Sequence, residues 1–98
     1  MKNIREDFIV ITGSAGFLGS FFVEELIKKD LNLILIDSNN KLLKIQKKKL
    51  KKIYTQSKYY FFNSDISKEK NIKKIFNFSK KNKLKIVTLI NLATIDAK

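Results

Sequence analysis

Three glycines, Gly13, Gly16 and Gly19, stand three residues apart directly after the apolar run Ile9-Val10-Ile11-Thr12 and directly before an apolar helical pattern. This spacing suits phosphate binding. A chain leaving a buried strand must turn tightly, present bare backbone to the anion, and restart as a helix packed close to the sheet, and glycine meets all three demands. The helix start then offers free amide hydrogens and the positive end of its dipole, so an anion is held without a charged side chain. The candidate residues of this turn are Thr12, Gly13, Ser14, Ala15, Gly16, Phe17, Leu18 and Gly19. Short glycine patterns also arise by chance, so the flanking elements must supply the context.

The composition removes several other chemistries. With no cysteine and no histidine there is no disulfide framework, no thiolate site, and neither the commonest metal ligand nor the commonest general base. A reducing, cytoplasmic setting fits that usage. No apolar run approaches the roughly 18 residues that span a bilayer, and Met1-Lys2 leads into mixed polar residues without a signal-peptide core, so no membrane partner is expected. The formal charge of +12 would suit a phosphate backbone, yet the only arginine among the 21 basic residues is Arg5. Nucleic-acid surfaces draw on arginine for bidentate and stacking contacts, so the lysines read as solvated helix surface rather than as a specific nucleic-acid site.

The elements that must position the glycine turn follow from the apolar periodicity. Phe8 to Thr12 is a continuous apolar and β-branched run, the mark of a strand covered on both faces. From Phe17 to Lys29, Leu18, Phe22, Val23, Leu26 and Ile27 fall at helical spacing. Leu31 to Ile36 is a second buried strand and ends in the carboxylate of Asp37. Lys41 to Tyr54 can form a helix with Leu42, Leu43, Leu50, Ile53 and Tyr54 on one face, capped by Ser38 or Asn39. Tyr59 to Asn63 is an aromatic strand. Asp65-Ile66 ends it, Ser67 can cap a third helix, and Ile72, Ile75, Phe76 and Ser79 mark that helix's face. Ile86 to Ala93 gives a fourth strand. Such alternation predicts the first half of a doubly wound α/β parallel sheet, β-α-β-α-β-α-β, with strand order 3-2-1-4. At 98 residues the chain is one domain at most.

From Phe8 to Ala93 these landmarks resemble the short-chain dehydrogenase/reductase family, whose fold is a Rossmann domain. The segment from Thr12 to Gly19 looks like the family's glycine motif, and Asp37 lies 18 residues after Gly19 at the end of the second strand. The resemblance implies that Asp37, with Ser38 beside it, binds the adenosine ribose hydroxyls and repels a 2′-phosphate, favouring NAD over NADP. It places Asp65 and Ile66 against the adenine ring, and Asn91, Leu92 and Ala93 beside the ribose at the end of the fourth strand. Glycines one, four and seven residues past Thr12 look like the extended subtype of sugar-nucleotide epimerases and dehydratases. The 26 residues from Asp65 to Asn91 match the longer spacing of the classical oxidoreductases instead, and that spacing, which changes only by insertion, weighs more. The stretch from Asn91 to Asp96 is similar to reductases of flagellin and surface-glycan modification, with Leu92 and Thr94 as departures.

In this family a tyrosine with a lysine four residues on, and a serine upstream, carry out proton transfer at the substrate oxygen. Tyr54 and Lys58 have that spacing but precede the third strand, whereas the family's pair lies on a helix after the fifth. No residue here is therefore assigned to catalysis. Residues 1–98 are expected to form the N-terminal part of one NAD(P)-binding domain, truncated before the active site, with Ile86, Val87, Leu89 and Ile90 on an exposed strand edge. The intact protein is expected to be a homo-oligomeric NAD-dependent oxidoreductase acting on a hydroxyl or carbonyl group of a small molecule, with a sugar or surface-glycan precursor as the candidate. An extended-type epimerase and a non-catalytic NAD-binding module are the alternatives.

Overall fold

The computed structural model describes residues 6–93. Strands β1 (Glu6–Thr12), β2 (Asn32–Asp37), β3 (Tyr59–Asn63) and β4 (Leu84–Asn91) alternate with helices α1 (Phe17–Lys28), α2 (Asn40–Leu50) and α3 (Glu69–Lys81). The strands form one parallel sheet in the order β3-β2-β1-β4, the expected doubly wound half. Arg5 and the Thr94 to Asp96 part of the fourth-strand motif lie outside the described residues.

Each face of the sheet buries its own core, because alternate side chains of a strand point to opposite sides. On one face Phe8, Val10, Ile34 and Ile36 meet Ile75 of α3, with Tyr60, Phe62 and Phe78 packed around them. On the other, Ile11, Leu33 and Leu35 meet Val23 and Ile27 of α1 and Leu50 of α2. The central strands β1 and β2 are therefore apolar on both sides, which is why their sequences read as unbroken runs.

Strand β4 pairs with β1 through a bulge. Phe8 faces Ile86 in the register while Ile9 faces Thr88, so Val87 is an extra residue. Among the described residues β4 has β1 as its one neighbour, and Val87 and Leu89 are exposed while Ile86 and Ile90 are half-buried.

The helices differ from expectation in detail. The buried stripe of α1 is Gly19, Val23 and Ile27, and Leu18 and Phe22 are exposed. Gly19 makes the closest approach to the preceding turn, so its row of the helix faces inward and the neighbouring row turns out. Helix α2 stops at Leu50, short of Tyr54. Residues 51–53 form a turn, and the following loop is tied to the α1–β2 connection by Gln56 N donating to Asp30 Oδ1 (2.9 Å) and Thr55 Oγ1 donating to Ile27 O (2.5 Å). Tyr54 is left 91% exposed. In α3, Ile72 and Phe76 are exposed and Phe78 takes the packing role on the aromatic strand, at 5.0 Å from Tyr60 and 5.1 Å from Phe62 between ring centroids. Ser67 does not cap α3: its hydroxyl and amide both donate to Asp65 Oδ1, and the helix begins after Lys68 without a side-chain cap.

Leu35, fully buried at the centre of the α1–α2 face, tests this packing. Leu35→Ala is expected to cost about 2–5 kcal/mol in urea unfolding; a loss below about 1 kcal/mol would mean the face is not closed as described.

Candidate functional site

The glycine turn lies at the carboxyl ends of the strands, where open α/β sheets bind ligands. Its three glycines meet the three demands separately. Gly13 has φ +70°, and a Cβ on it would stand 2.7 Å from the backbone of Leu92 and Ala93, so the turn and the end of β4 touch through it. A Cβ on Gly19 would lie 2.1 Å from Gly13 O and 2.8 Å from Ser14 O, so the helix presses on the turn there. At Gly16 the nearest atom to a Cβ is Gly13 O at 3.5 Å. Space is therefore left open at the middle glycine, on the side from which a ligand would come.

Helix α1 starts without a capping side chain and without an acidic residue in its first turn. Gly16 N is taken by Gly13 O (3.2 Å), and the first helical bond is Ser20 N to Gly16 O (2.8 Å). The amides of Phe17, Leu18 and Gly19 are thus the donors that helix geometry leaves unpaired. Three uncapped donors, the dipole and the bare backbone at Gly16 fit an anionic diphosphate.

Asp37 ends β2 beside this turn. Its carboxylate accepts from Ala15 N (3.0 Å, Oδ2) and from Asn39 N (2.8 Å, Oδ1), and its carbonyl accepts from Ser64 N (3.1 Å) and Asn63 Nδ2 (3.0 Å). One residue thereby joins the glycine turn, the start of α2 and the end of β3. Two amides use about half of the roughly four acceptor positions of a carboxylate, which leaves capacity for ligand hydroxyls. Of the two candidate caps for α2, Asn39 is the one that acts, accepting from Leu42 N (3.0 Å).

At β4 the Thr12 hydroxyl donates to Asn91 Oδ1 and accepts from Ala93 N (3.3 Å), and Thr12 O accepts from Leu92 N (2.9 Å). The turn residues, Asp37 and the end of β4 enclose a cleft of about 450 Å³. Of the nominated residues, Thr12, Gly13, Gly16, Asp37, Ser38, Asp65, Ile66, Asn91, Leu92 and Ala93 line it. Ser14, Ala15, Phe17, Leu18 and Gly19 do not. Ser14 and Ala15 are buried behind the turn, Gly19 is packed beneath it, and Phe17 is 96% exposed outside the cleft. Ile36, Asn39, Leu42, Ser64 and Ser67 also line the cleft and were not among the expected site residues; Ile36, Asn39, Ser64 and Ser67 adjoin expected ones in the sequence, and Leu42 comes in from the first turn of α2.

Tyr54 and Lys58 lie away from this cleft. Lys58 precedes β3 at the amino-terminal end of the sheet and pairs with Glu6 (2.8 Å), which raises its pKa above the ordinary lysine value through the Glu6 hydrogen bond and charge. Among the described residues no group of three His, Cys, Asp or Glu could hold a metal ion.

The Ser67 hydroxyl and amide hold the Asp65 carboxyl below its ordinary value. A depressed carboxylate contributes stability that is present above its unfolded pKa and lost as pH falls through the folded value. The Asp65 side chain is therefore expected to titrate by NMR with a midpoint below about 3.9, and Ser67→Ala is expected to move that midpoint up. An unmoved midpoint would break the assignment. For the glycines, Gly19→Ala is expected to destabilise by at least about 1–3 kcal/mol, whereas Gly16→Ala should change thermal stability by within about 1 kcal/mol.

The family model for short chain dehydrogenases matches residues 7–98. The chain is 34% identical over 88 residues to a diacetyl reductase [(S)-acetoin forming] from Staphylococcus epidermidis, covering 90% of this chain and 34% of that protein. It therefore spans about a third of the length of the curated relatives it matches. Among solved structures, a 4-hydroxyisoleucine dehydrogenase complexed with NADH superposes with a TM-score of 0.72 at 26% identity, over 92% of this chain and 36% of that one. A short-chain dehydrogenase from Oenococcus oeni gives 0.74 at 24% identity, over 100% of this chain and 45% of that one, a likeness of fold. With a Rossmann-like sheet in 3-2-1-4 order and a family match over nearly its whole length, the chain belongs to the short-chain dehydrogenase family.

Proposed function

We propose that the chain is the cofactor-binding part of an NAD-dependent oxidoreductase acting on a hydroxyl or carbonyl group of a small molecule. The observation that carries this reading is the division of labour among the glycines. Gly13 and Gly19 are closed by backbone, Gly16 stays open, and the uncapped start of α1 stands next to a strand-end carboxylate. The dinucleotide, when bound, supplies the hydride acceptor or donor. The chain's own residues do the holding: the amides of Phe17, Leu18 and Gly19 would take the diphosphate, and Asp37, with Ser38, the adenosine ribose. Asp65 and Ile66 would border the adenine, and Asn91, Leu92 and Ala93 the ribose from the β4 side. A fixed negative charge at Asp37 disfavours a 2′-phosphate, so the reading specifies NAD rather than NADP.

The remaining parts of the reading rest on resemblance and composition. The curated relatives act on diacetyl, a small dicarbonyl; the sugar or surface-glycan substrate rests on the Asn91 to Asp96 stretch, and both are hydroxyl or carbonyl chemistry. The extended-type alternative rests on the glycine spacing alone. A cytoplasmic homo-oligomer accompanies the oxidoreductase reading. Among the described residues, no helix is long and apolar enough to cross a membrane.

Four measurements test the proposal. Reading the coding DNA past Lys98 should reveal, within roughly 80 residues, a serine followed by a Tyr-x-x-x-Lys pair; a stop codon at once would leave a binding module without catalysis. In the protein expressed from the complete reading frame, NAD at a hundredfold excess over its dissociation constant should stabilise the fold by about 2.7 kcal/mol. Asp37→Ala should remove the preference for NAD over NADP, and an unchanged ratio would refute the ribose role. Gly16→Ala should weaken NAD while leaving the fold intact.

A further inference from the structure

Helix α2 carries one polar side chain that is not solvated. Gln46 is 4% exposed although it sits in a lysine-rich helix, and both ends of its amide are engaged by a single residue of the glycine turn. Gln46 Nε2 donates to Ser14 O at 2.7 Å, and Ser14 Oγ, itself fully buried, donates to Gln46 Oε1 at 3.2 Å. Ser14 N is held in turn by Ile36 O at 3.1 Å. No buried side-chain polar atom is left without a partner among the described residues, so this network is closed.

The oxygen that Gln46 grips belongs to the same peptide group as Ala15 N. That amide donates to Asp37 Oδ2 at 3.0 Å. A peptide unit is planar, so its C=O and N–H are fixed together and point in opposite directions. Gln46 on one side and Asp37 on the other therefore hold the two ends of one rigid plate. Rotating that plate about its flanking bonds would carry Ala15 N away from the carboxylate and leave the Asp37 side chain held by Asn39 N alone, with Oδ2 released. We infer that Gln46 is a positioning residue for Asp37, acting through the Ser14–Ala15 peptide, and that it thereby sets the selectivity of the site for a nucleotide ribose without a 2′-phosphate.

This inference rests on the reading of Asp37 given above, and the test separates the two. It uses the protein from the complete reading frame, with dissociation constants for NAD and NADP measured by calorimetry alongside the melting temperature. Gln46→Met keeps the volume and removes both hydrogen bonds. It is expected to weaken NAD by about five- to tenfold, the worth of one ordered hydrogen bond, with NADP changed by less than about twofold. Gln46→Asn, too short by one methylene to span to Ser14 but able to share a water with it, should move the selectivity in the same direction and serves if Gln46→Met does not fold. A purely structural Gln46 would lower the melting temperature and weaken both nucleotides by the same factor, leaving their ratio unchanged, and that result overturns the inference. Wild-type protein without preference for NAD would instead refute the ribose role of Asp37 itself. If neither variant folds, the wild type decides. An Ala15 amide that exchanges freely, or shows no scalar coupling across its hydrogen bond to the Asp37 carboxyl carbon by NMR, overturns the link; a protected, coupled amide supports it.

Discussion

Helix α1 starts so close to the turn before it that a methyl group at Gly19 would collide with two backbone carbonyls. Most of the site follows from that approach. It turns the row Gly19, Val23 and Ile27 toward the sheet, seats Val23 and Ile27 against Leu33 and Leu35, and leaves the start of the helix without a side-chain cap. The sheet then fixes where this arrangement can lie. In a parallel sheet every strand delivers its carboxyl end to the same edge, so the ends of β1, β2, β3 and β4 converge beside the start of α1.

Asp37 ties these ends together. Its side chain reaches the glycine turn and the α2 cap, and its carbonyl reaches the residues that close β3. Loops are ordinarily the mobile part of such a fold. Here two of them are bound to each other through one carboxylate, and a third through the carbonyl of the same residue. Asp37, proposed above to meet the ribose, is in this way also part of the frame.

The strands and their order were legible because apolar runs of five or six residues bounded by polar ones have few other uses. The glycine turn was legible for the same local reason. Three features were not: two have a distant cause, and in the third two local partners compete. The end of α2 carries no glycine or proline, and lysines continue a helical pattern through Lys52; the chain leaves the helix because Thr55 and Gln56 bond to residues nearly thirty positions earlier. Gln46 looks like one more solvated residue among lysines, and only its meeting with Ser14 buries it. Ser67 had the sequence of a cap, but Asp65, two residues before it, captures its hydroxyl and amide first.

The extra residue in β4 bears on how the site can vary. Because side chains alternate along a strand, Val87 reverses the facing of everything that follows it: Leu89 comes level with Val10, and Asn91 arrives on the side where the Thr12 hydroxyl waits. Loss of one residue from this strand would leave its composition almost untouched and still turn Asn91 to the opposite face. The strand's contribution to the cleft is thus counted in length before it is read in identity. A relative with a perfect match at Asn91 but one residue fewer between Leu84 and Asn91 would carry the same letters and lack the contact.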